Sequence, residues 1–233
     1  MTESYPKWSP EWRTMQLLKL DREWSGCQKC PNLVASRNRL VLGAGNPKAD
    51  IVIIGEMPGV EEDRDGVPFV GASGQCLESL MTAVGAHRED FFLTNLVACV
   101  PPDYRSPTKD EINNCLPRLY AELYIVDPML IIAAGATAQG VLIGARGKKK
   151  LTDYFGKLTK IKIPGKEFEL EYDASAMYNP AYILRNDAPD DNGIYPAGGA
   201  ADLTYRAFDS VYNAVKELRT RYDQFAEIRY NDE

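Results

Sequence analysis

Three short runs of apolar residues constrain the fold of this 233-residue chain more than any other feature. They are IVIIG at 51–55, FFLTNLVACV at 91–100 and MLIIAAG at 129–135. A strand that is covered on both faces has such an uninterrupted apolar sequence. Each run is followed by a stretch with helical spacing, and strands that alternate with helices predict a mostly parallel sheet with helices on both faces.

The remaining segments complete the predicted architecture. SAMYNP at 175–180 is predicted as a fourth core strand, and 158–173 as a hairpin, because it alternates and contains Pro-Gly. We therefore predict an α/β fold, a three-layer α/β/α sandwich with a central, mostly parallel four-stranded sheet, in one domain covering 1–233. The smaller predicted parts are an opening helix at 9–25 within a cysteine-bearing segment at 1–45, a short strand near 40–42, an acidic insertion at 186–202 and a closing helix at 203–225.

Polar and glycine-bearing segments stand where the predicted strands end. They are Gly55–Gly59, Asn95, Gly135–Thr137 and Asn179–Pro180. In open α/β sheets, ligands bind outside the carboxyl ends of the strands. The sequence therefore predicts a binding site at this edge of the sheet.

Composition limits the classes of partner. A hydrophobic fraction of 45% and a charged fraction of 26% exclude a mainly disordered chain. No apolar run approaches the ~18 residues that span a bilayer, and the first residues lack the apolar core of a signal peptide. We therefore expect a cytoplasmic protein with no membrane partner. A monomer is a separate expectation that does not follow from composition.

The net charge of −6 does not favour nucleic acid, so a DNA partner would need a local basic patch. The candidate basic patch follows the third predicted helix. The alternative is that these residues form a solvated loop that does not bind DNA. Its residues are Arg146, Lys148, Lys149, Lys150, Lys157, Lys160 and Lys162.

Five cysteines without a secretory signal favour metal or redox use over disulfides. Cys27 and Cys30 form a C-x2-C pair, and Cys99 and Cys115 follow on a predicted strand end and the next helix. Because these two elements are neighbours, the four thiolates are able to converge, as zinc or an iron–sulfur cluster requires. The alternative for Cys99 and Cys115 is packing in the core, which is also predicted for Cys76. The single histidine, His87, is predicted to lie in an exposed loop.

Several motifs together resemble the iron–sulfur, or family 4, uracil-DNA glycosylases. GEMPGVEEDRDGVPFVGASGQCLESLM resembles the family's first motif, and FLTNLVACVPPDYRSPTKDEINNC resembles its strand-Asn and cysteine segment. MLIIAAGATAQGVL and YNPAYILRN are similar to its later motifs, and the four cysteines stand in the family's order. The resemblance covers roughly 15–220. It implies a DNA glycosylase that flips uracil out of DNA, cleaves its N-glycosidic bond and leaves an abasic site for base excision repair.

Carried over by position, the resemblance implies a [4Fe–4S] cluster on Cys27, Cys30, Cys99 and Cys115. Phe69 would stack on the flipped base, and its alternative role is packing in the core. The side-chain amide of Asn95 would read the base, and its alternative role is a cap at the end of the strand. Glu56 and Glu62 are the candidate catalytic carboxylates, with solvated loop charges as the alternative. Backbone N–H groups of two glycine-bearing turns are expected to bind phosphate oxygens. The turns are Gly71–Gly74, which includes Ser73, and Ala134–Ala136, which includes Gly135. Arg185 is the candidate for entering the duplex where the base leaves.

The closing motif departs from the family pattern. Asn179-Pro180 stands where the family has His-Pro, so Asn179 becomes the candidate donor to O2 of the base, and slower chemistry is expected. The alternative is that Asn179 only caps the loop. Met57 occupies a position where a small residue is common, and Gly59 leaves room at C5 of a pyrimidine. Three functions follow: uracil excision, excision of a 5-modified pyrimidine, or a catalytically weak relative that binds DNA or protein.

Overall fold

In the computed structural model of the chain, residues 6–144, 150–165, 169–187 and 195–231 are described. Their strands form one six-stranded sheet in the order β1-β3-β2-β4-β6-β5. The four inner strands are parallel, and the two edge strands pair antiparallel to their neighbours. The strands are β1 (Ala44–Gly45), β2 (Ile51–Gly55), β3 (Phe91–Asn95), β4 (Leu130–Ala134), β5 (Thr159–Pro164) and β6 (Glu169–Met177).

Eight helices of the described residues flank the sheet or cover its ends. They are α1 (Pro10–Trp24), α2 (Pro31–Ser36), α3 (Val60–Asp65), α4 (Ala72–Ala83), α5 (Lys109–Val126), α6 (Ala136–Leu142), α7 (Pro180–Asn186) and α8 (Ala200–Asn231). None of these helices combines the length and the apolar character needed to cross a bilayer.

The alternation of side chains along the inner strands creates two separate cores. Val52 and Ile54 of β2 pack with residues of α5 and α6, such as Leu119 and Ala138. Ile51 and Ile53 point to the opposite face and pack with α4 and α8. Because successive side chains of a strand point to opposite faces, a strand buried on both sides must be apolar throughout. This arrangement confirms the predicted α/β/α layering.

The N-terminal helix α1 packs against the C-terminal end of α5. Leu20 and Trp24 of α1 bury their side chains with Ile125 near the end of α5. Arg13 donates hydrogen bonds to the main-chain oxygens of Ile125 and Val126, which are unsatisfied carbonyls of the last turn. The segment before the first strand is therefore fixed to the carboxyl end of a core helix.

The structure refines several predicted elements. The predicted four parallel strands are present, but two antiparallel edge strands enlarge the sheet to six. The strand expected near 40–42 lies at Ala44–Gly45, and the predicted hairpin arm and last core strand are one strand, Glu169–Met177. The closing helix begins at Ala200 rather than 203. Of the predicted acidic insertion at 186–202, residues 188–194 lie outside the described residues, and its two ends belong to α7 and α8.

The sheet topology leaves a crevice at the carboxyl ends of β2 and β4. The chain after β2 leads to α4 on one face, whereas the chain after β4 leads to α6 on the other. Two loops that diverge in this way open a cleft between neighbouring strands, where open α/β sheets bind ligands.

Candidate active site and cysteine pocket

A cavity of about 630 Å³ lies at the carboxyl ends of the inner strands. Every predicted catalytic and substrate-binding residue except Gly71 lines it. These residues are Glu56, Gly59, Glu62, Phe69, Ser73, Asn95, Gly135, Ala136, Asn179 and Arg185. Segments up to about 130 residues apart in the sequence therefore meet in one place, as the strand-end argument predicts.

Asn95 is a buried residue of the cavity wall. It is the last residue of β3 and pairs with Gly55 of β2, and its side chain is 3% exposed. A Cβ atom on Gly55 would lie 2.3 Å from Asn95 Oδ1 and 2.8 Å from Cζ of Phe69. Glycine at position 55 therefore lets the amide and the aromatic ring approach each other over the end of β2.

Phe69 has a strained backbone that its neighbours hold in place. Its φ angle is +54°, in the left-handed region that residues other than glycine rarely adopt. Arg88 donates to the main-chain oxygens of Phe69 and Pro68 at 2.7 and 2.6 Å, and a Cβ atom on Gly74 would lie 2.0 Å from the Phe69 oxygen. Strain of this kind persists where surrounding contacts enforce it, and it is concentrated at functional sites.

The carboxylate of Glu62 organises the loop after β2. Its Oε1 accepts hydrogen bonds from the N–H groups of Val70 and Gly71, at 3.0 and 2.9 Å, and Oε2 accepts from Gly59 N–H at 2.9 Å. A buried carboxylate that binds three N–H groups fixes the loop on both sides of α3. The Gly71 N–H is committed to Glu62, so it is not free for the phosphate contact that the sequence predicts.

Glu56 differs from Glu62 in having free hydrogen-bonding capacity. It follows directly after β2 and lines the cavity. Its Oε1 is buried and has no hydrogen-bond partner among the described residues. Buried carboxylate oxygens are normally satisfied, so an oxygen without a protein partner in a cavity is suited to binding water or a ligand.

Asn179 caps a helix and faces the cavity with the same side chain. Its Oδ1 accepts from the N–H of Ala181 at 2.9 Å, as the N-cap of α7. Its Nδ2 lies 3.5 Å from the main-chain oxygen of Ala134, at the limit of a hydrogen bond. Because Oδ1 caps the helix, the NH2 group of the same amide points away from it. Among the described residues, this NH2 group makes only one long hydrogen bond, so it is able to donate another.

Aromatic residues at the cavity wall were missed by the sequence analysis. Tyr178 and Tyr182 stack with ring centroids 4.9 Å apart, and Phe155 contacts Tyr178 edge-on. Tyr104, which is 54% exposed, also lines the cavity. The i, i+4 spacing of two tyrosines around Asn179-Pro180 was the available signal, but it required knowing that α7 begins there.

The predicted basic patch is described only in part, because Arg146, Lys148 and Lys149 lie outside the described residues. Lys160 and Lys162 form ion pairs across the hairpin, with Asp173 at 3.1 Å and Glu169 at 2.9 Å. Lys157 donates to the main-chain oxygen of Asp153. By contrast, Arg185 is exposed at the rim of the cavity.

The four predicted cysteine ligands line a second, small pocket. Cys27, Cys30, Cys99 and Cys115 all contribute to it, and all are free thiols. Three of the sulfur atoms accept hydrogen bonds from N–H groups: Cys99 from Arg37 at 3.2 Å, Cys115 from the main chain of Ala98 at 3.4 Å, and Cys30 from Asn114 at 3.6 Å. The structure thus brings together a C-x2-C pair and two distant cysteines.

Burial and hydrogen bonding act in opposite directions on these thiols. Burial raises the pKa of Cys30 and Cys99, while the hydrogen bonds from Asn114 and Arg37 work against that rise. Within the described part of the chain, no three His, Cys, Asp or Glu side chains are grouped tightly enough to hold one metal ion. Cys76 lies apart from this pocket, packed near Ile183, and His87 is exposed, as predicted.

Comparison with known proteins identifies the family. The model of the uracil DNA glycosylase superfamily matches residues 42–194. A type-4 uracil-DNA glycosylase of Pyrobaculum aerophilum is 40% identical over 75% of this chain and 87% of its own length. The corresponding enzyme of Archaeoglobus fulgidus is 35% identical over 70% and 80%, and that of Thermotoga maritima is 38% identical over 69% and 79%. The motifs, the α/β fold and these similarities agree, and the chain belongs to the type-4 family of the uracil-DNA glycosylase superfamily.

Proposed function

We propose that this protein hydrolyses the N-glycosidic bond of uracil in DNA and leaves an abasic site. One observation carries this proposal: the strand-end cavity brings together an aromatic ring, two side-chain amides and an unpartnered carboxylate oxygen, on Phe69, Asn95, Asn179 and Glu56. The similarity to several type-4 uracil-DNA glycosylases supports the same reaction.

Asn95 and Phe69 would select the base. An amide offers one acceptor and one donor, which match N3–H and O4 of uracil, whereas cytosine reverses both groups. A well-placed bidentate contact of this kind discriminates by about 1–3 kcal/mol. Stacking on the Phe69 ring would hold a base that has left the duplex, as enzymes that act on flipped bases require.

Asn179 and Glu56 would act on the bond itself. As the C1′–N1 bond breaks, its electron pair moves onto the base, mainly to O2, and positive charge develops on the sugar. The NH2 group of Asn179 would donate to O2, and Glu56 would orient a water molecule and face the sugar cation. Water adds to C1′ and loses a proton, and uracil takes up a proton at N1, so the reaction balances as a hydrolysis.

Contacts with the sugar-phosphate backbone would come from the rim of the cavity. Arg185 at the end of α7 is exposed there, and Ser73 and Ala136 lie in the first turns of α4 and α6. Guanidinium groups and N–H groups at helix starts bind phosphate oxygens without reading sequence. These contacts would position DNA, while Asn95 reads the base.

A [4Fe–4S] cluster would bind Cys27, Cys30, Cys99 and Cys115. The donor set fits, because four thiolates surround one pocket and a four-iron cluster needs more widely spaced ligands than a single ion. The N–H groups that point at three of the sulfurs are the contacts that stabilise charged clusters. When bound, the cluster would join the C-x2-C segment to α5 and leave the hydrolysis to the cavity residues.

A 5-modified pyrimidine is the second candidate substrate, because the cavity wall has glycine at position 59. The absence of a side chain there has a structural reason as well. A Cβ atom on Gly59 would lie 2.5 Å from Oε2 of Glu62, so the glycine also makes room for the carboxylate that organises the loop.

A panel of labelled strands tests the proposed function. Strands that contain a single uracil, thymine, 5-hydroxymethyluracil or cytosine are incubated with the protein and then treated with alkali, which cleaves abasic sites. We expect cleavage at uracil and none at cytosine. Cleavage only at thymine or 5-hydroxymethyluracil would favour the second candidate. If a folded, iron-loaded protein cleaves at none of these bases, the proposed glycosylase activity is contradicted.

A further inference from the structure

A fully buried ion pair lies directly behind the end of β3. Arg118 and Glu122 stand one turn apart on α5, with a nitrogen–oxygen distance of 2.8 Å. Their side chains are 0% and 1% exposed. The pair lies in the core between α5 and the sheet and does not line the cavity. Arg118 also makes a side-chain hydrogen bond to Cys115, one of the four cysteines of the second pocket.

The guanidinium group of Arg118 binds the main chain of Asn95. Its Nη2 donates to the oxygens of Asn95 and Leu96 at 2.6 and 3.0 Å, and its Nη1 donates to Thr94 Oγ1 at 2.8 Å. The three consecutive residues that Arg118 contacts are the end of β3 and the start of the next loop. The backbone that carries the amide of Asn95 is therefore held by charge-assisted hydrogen bonds, which are stronger than neutral ones.

Glu122 fixes the guanidinium from the other side. Its Oε2 accepts from Thr94 Oγ1 at 2.7 Å and from Arg118, and its Oε1 accepts from the N–H of Gly43 at 2.8 Å. The side chain thus connects α5, β3 and the segment before β1. These contacts hold the two terminal nitrogens of Arg118 against the end of β3.

Stability alone does not account for this pair. Taking two charges out of water costs free energy, and replacing a whole buried ion pair by neutral residues of similar size is often neutral or stabilising. The pair is nevertheless placed where it holds the residue that would read the base. A displacement of about 1 Å at a reacting group is able to cost ~100-fold in rate.

We propose that Arg118 is a positioning residue for base recognition, held in place by Glu122, and that it fixes the main chain of Asn95 so that the amide meets the base. This inference rests on the proposed function, since it assigns the base-reading role to Asn95. It adds a specificity element on α5, outside the cavity wall.

The test removes both charges together. Arg118→Met/Glu122→Gln avoids an uncompensated buried charge. Leu119→Ala is the matched control, because Leu119 is fully buried on the same helix and packs in the hydrophobic core. Because Arg118 contacts Cys115, iron content is measured first, and only folded variants with the wild-type iron content are compared. For each of them, we would measure the melting temperature, the affinity for free uracil, the affinity for a duplex with an abasic site, and single-turnover uracil excision.

We expect the double variant to lose on the order of 10- to 100-fold in uracil affinity and excision, with its affinity for the abasic duplex unchanged. The control variant should have a lower melting temperature but keep its affinity for uracil and its rate of excision. A double variant that matches the control in every readout would overturn the proposal. If the double variant does not fold, Arg118→Lys gives the decision, because it keeps both charges and replaces the planar fork that reaches Thr94, Asn95 and Leu96 by a single ammonium group. An unchanged uracil affinity would then overturn the proposal.

Failure of the proposed function gives a different result. Uracil binding needs no bond cleavage, so wild-type protein that binds uracil without excising it would refute the glycosylase and leave the positioning test valid. Wild-type excision together with an unaffected double variant would refute only the role of Arg118.

Discussion

At the scale of single residues, Asn179 replaces the histidine expected in the closing motif. Its Oδ1 caps α7, its Nδ2 lies 3.5 Å from the main-chain oxygen of Ala134, and the residue lines the cavity. From the sequence alone, a capping role and a donor role were alternatives for this residue. The geometry makes the two compatible, because each uses a different atom of the same amide.

We predict that Asn179→Ala lowers single-turnover uracil excision by ~100-fold or more, since a donor to developing charge acts mainly in the transition state. Loss of the cap should also cost about 1 kcal/mol of stability. Asn179→His should raise excision above that of the wild type, and DNA affinity should change little in both variants. Quenched-flow rates and melting temperatures separate the two effects. A folded Asn179→Ala protein with full activity would place the donor elsewhere.

At the scale of secondary structure elements, the long periodic segments and the short helix α6 could be predicted, whereas three other short helices could not. The inner strands follow from apolar runs, and α5 follows from its Ser/Thr-Pro start and acidic first turn. α2, α3 and α7 have only six or seven residues each, too few for propensity or periodicity to identify. Tertiary contacts hold them: α3 begins where Glu62 binds the N–H of Gly59.

The start of α5 shows how a local element depends on one carboxylate. Glu111 accepts from the N–H of Thr108 at 2.7 Å in a capping box. Both of its oxygens also accept from Arg105, at 2.7 and 2.8 Å. Mainly through the hydrogen bonds from Arg105, the pKa of Glu111 falls from 4.5 to about 2. The ionised form is therefore favoured in the folded protein.

This shift predicts a pH dependence of stability. A carboxylate with a lowered folded pKa stabilises the fold fully above its unfolded pKa of 4.5, and this contribution is lost as the pH falls toward about 2. Glu111→Gln should therefore be less stable than the wild type at pH 7, and the difference should shrink below pH 4.5. Urea unfolding of both proteins at several pH values measures it. A difference that is independent of pH would contradict the assigned cause.

At the scale of the whole molecule, the positions of the site residues follow from the sheet topology. Knowing that strand ends converge, and which motifs the chain resembles, was enough to predict most of the cavity wall. What the sequence did not reveal depends on three-dimensional contacts: the strained backbone of Phe69, the three N–H groups bound by Glu62, and the stacked tyrosines.

The cysteine pocket leads to a prediction about the intact protein. Anaerobically purified protein should be brown and contain iron and acid-labile sulfide, and Cys27→Ala should lower both the iron content and the melting temperature. Cys76→Ala is the matched control, because Cys76 lies outside the pocket. Iron content is measured by metal analysis and visible absorption. Wild-type protein that contains zinc without iron or sulfide would contradict the cluster.

The central claim is that the strand-end cavity reads and releases uracil, and Asn95→Ala tests it most directly. The measurement is single-turnover release of uracil from a labelled strand by wild type and variant, with the affinity for an abasic duplex measured in parallel. We predict excision by the wild type and a loss of at least ~10-fold in the variant, the equivalent of one bidentate base contact, at unchanged duplex affinity. A variant that melts like the wild type and releases uracil at the wild-type rate would contradict the account.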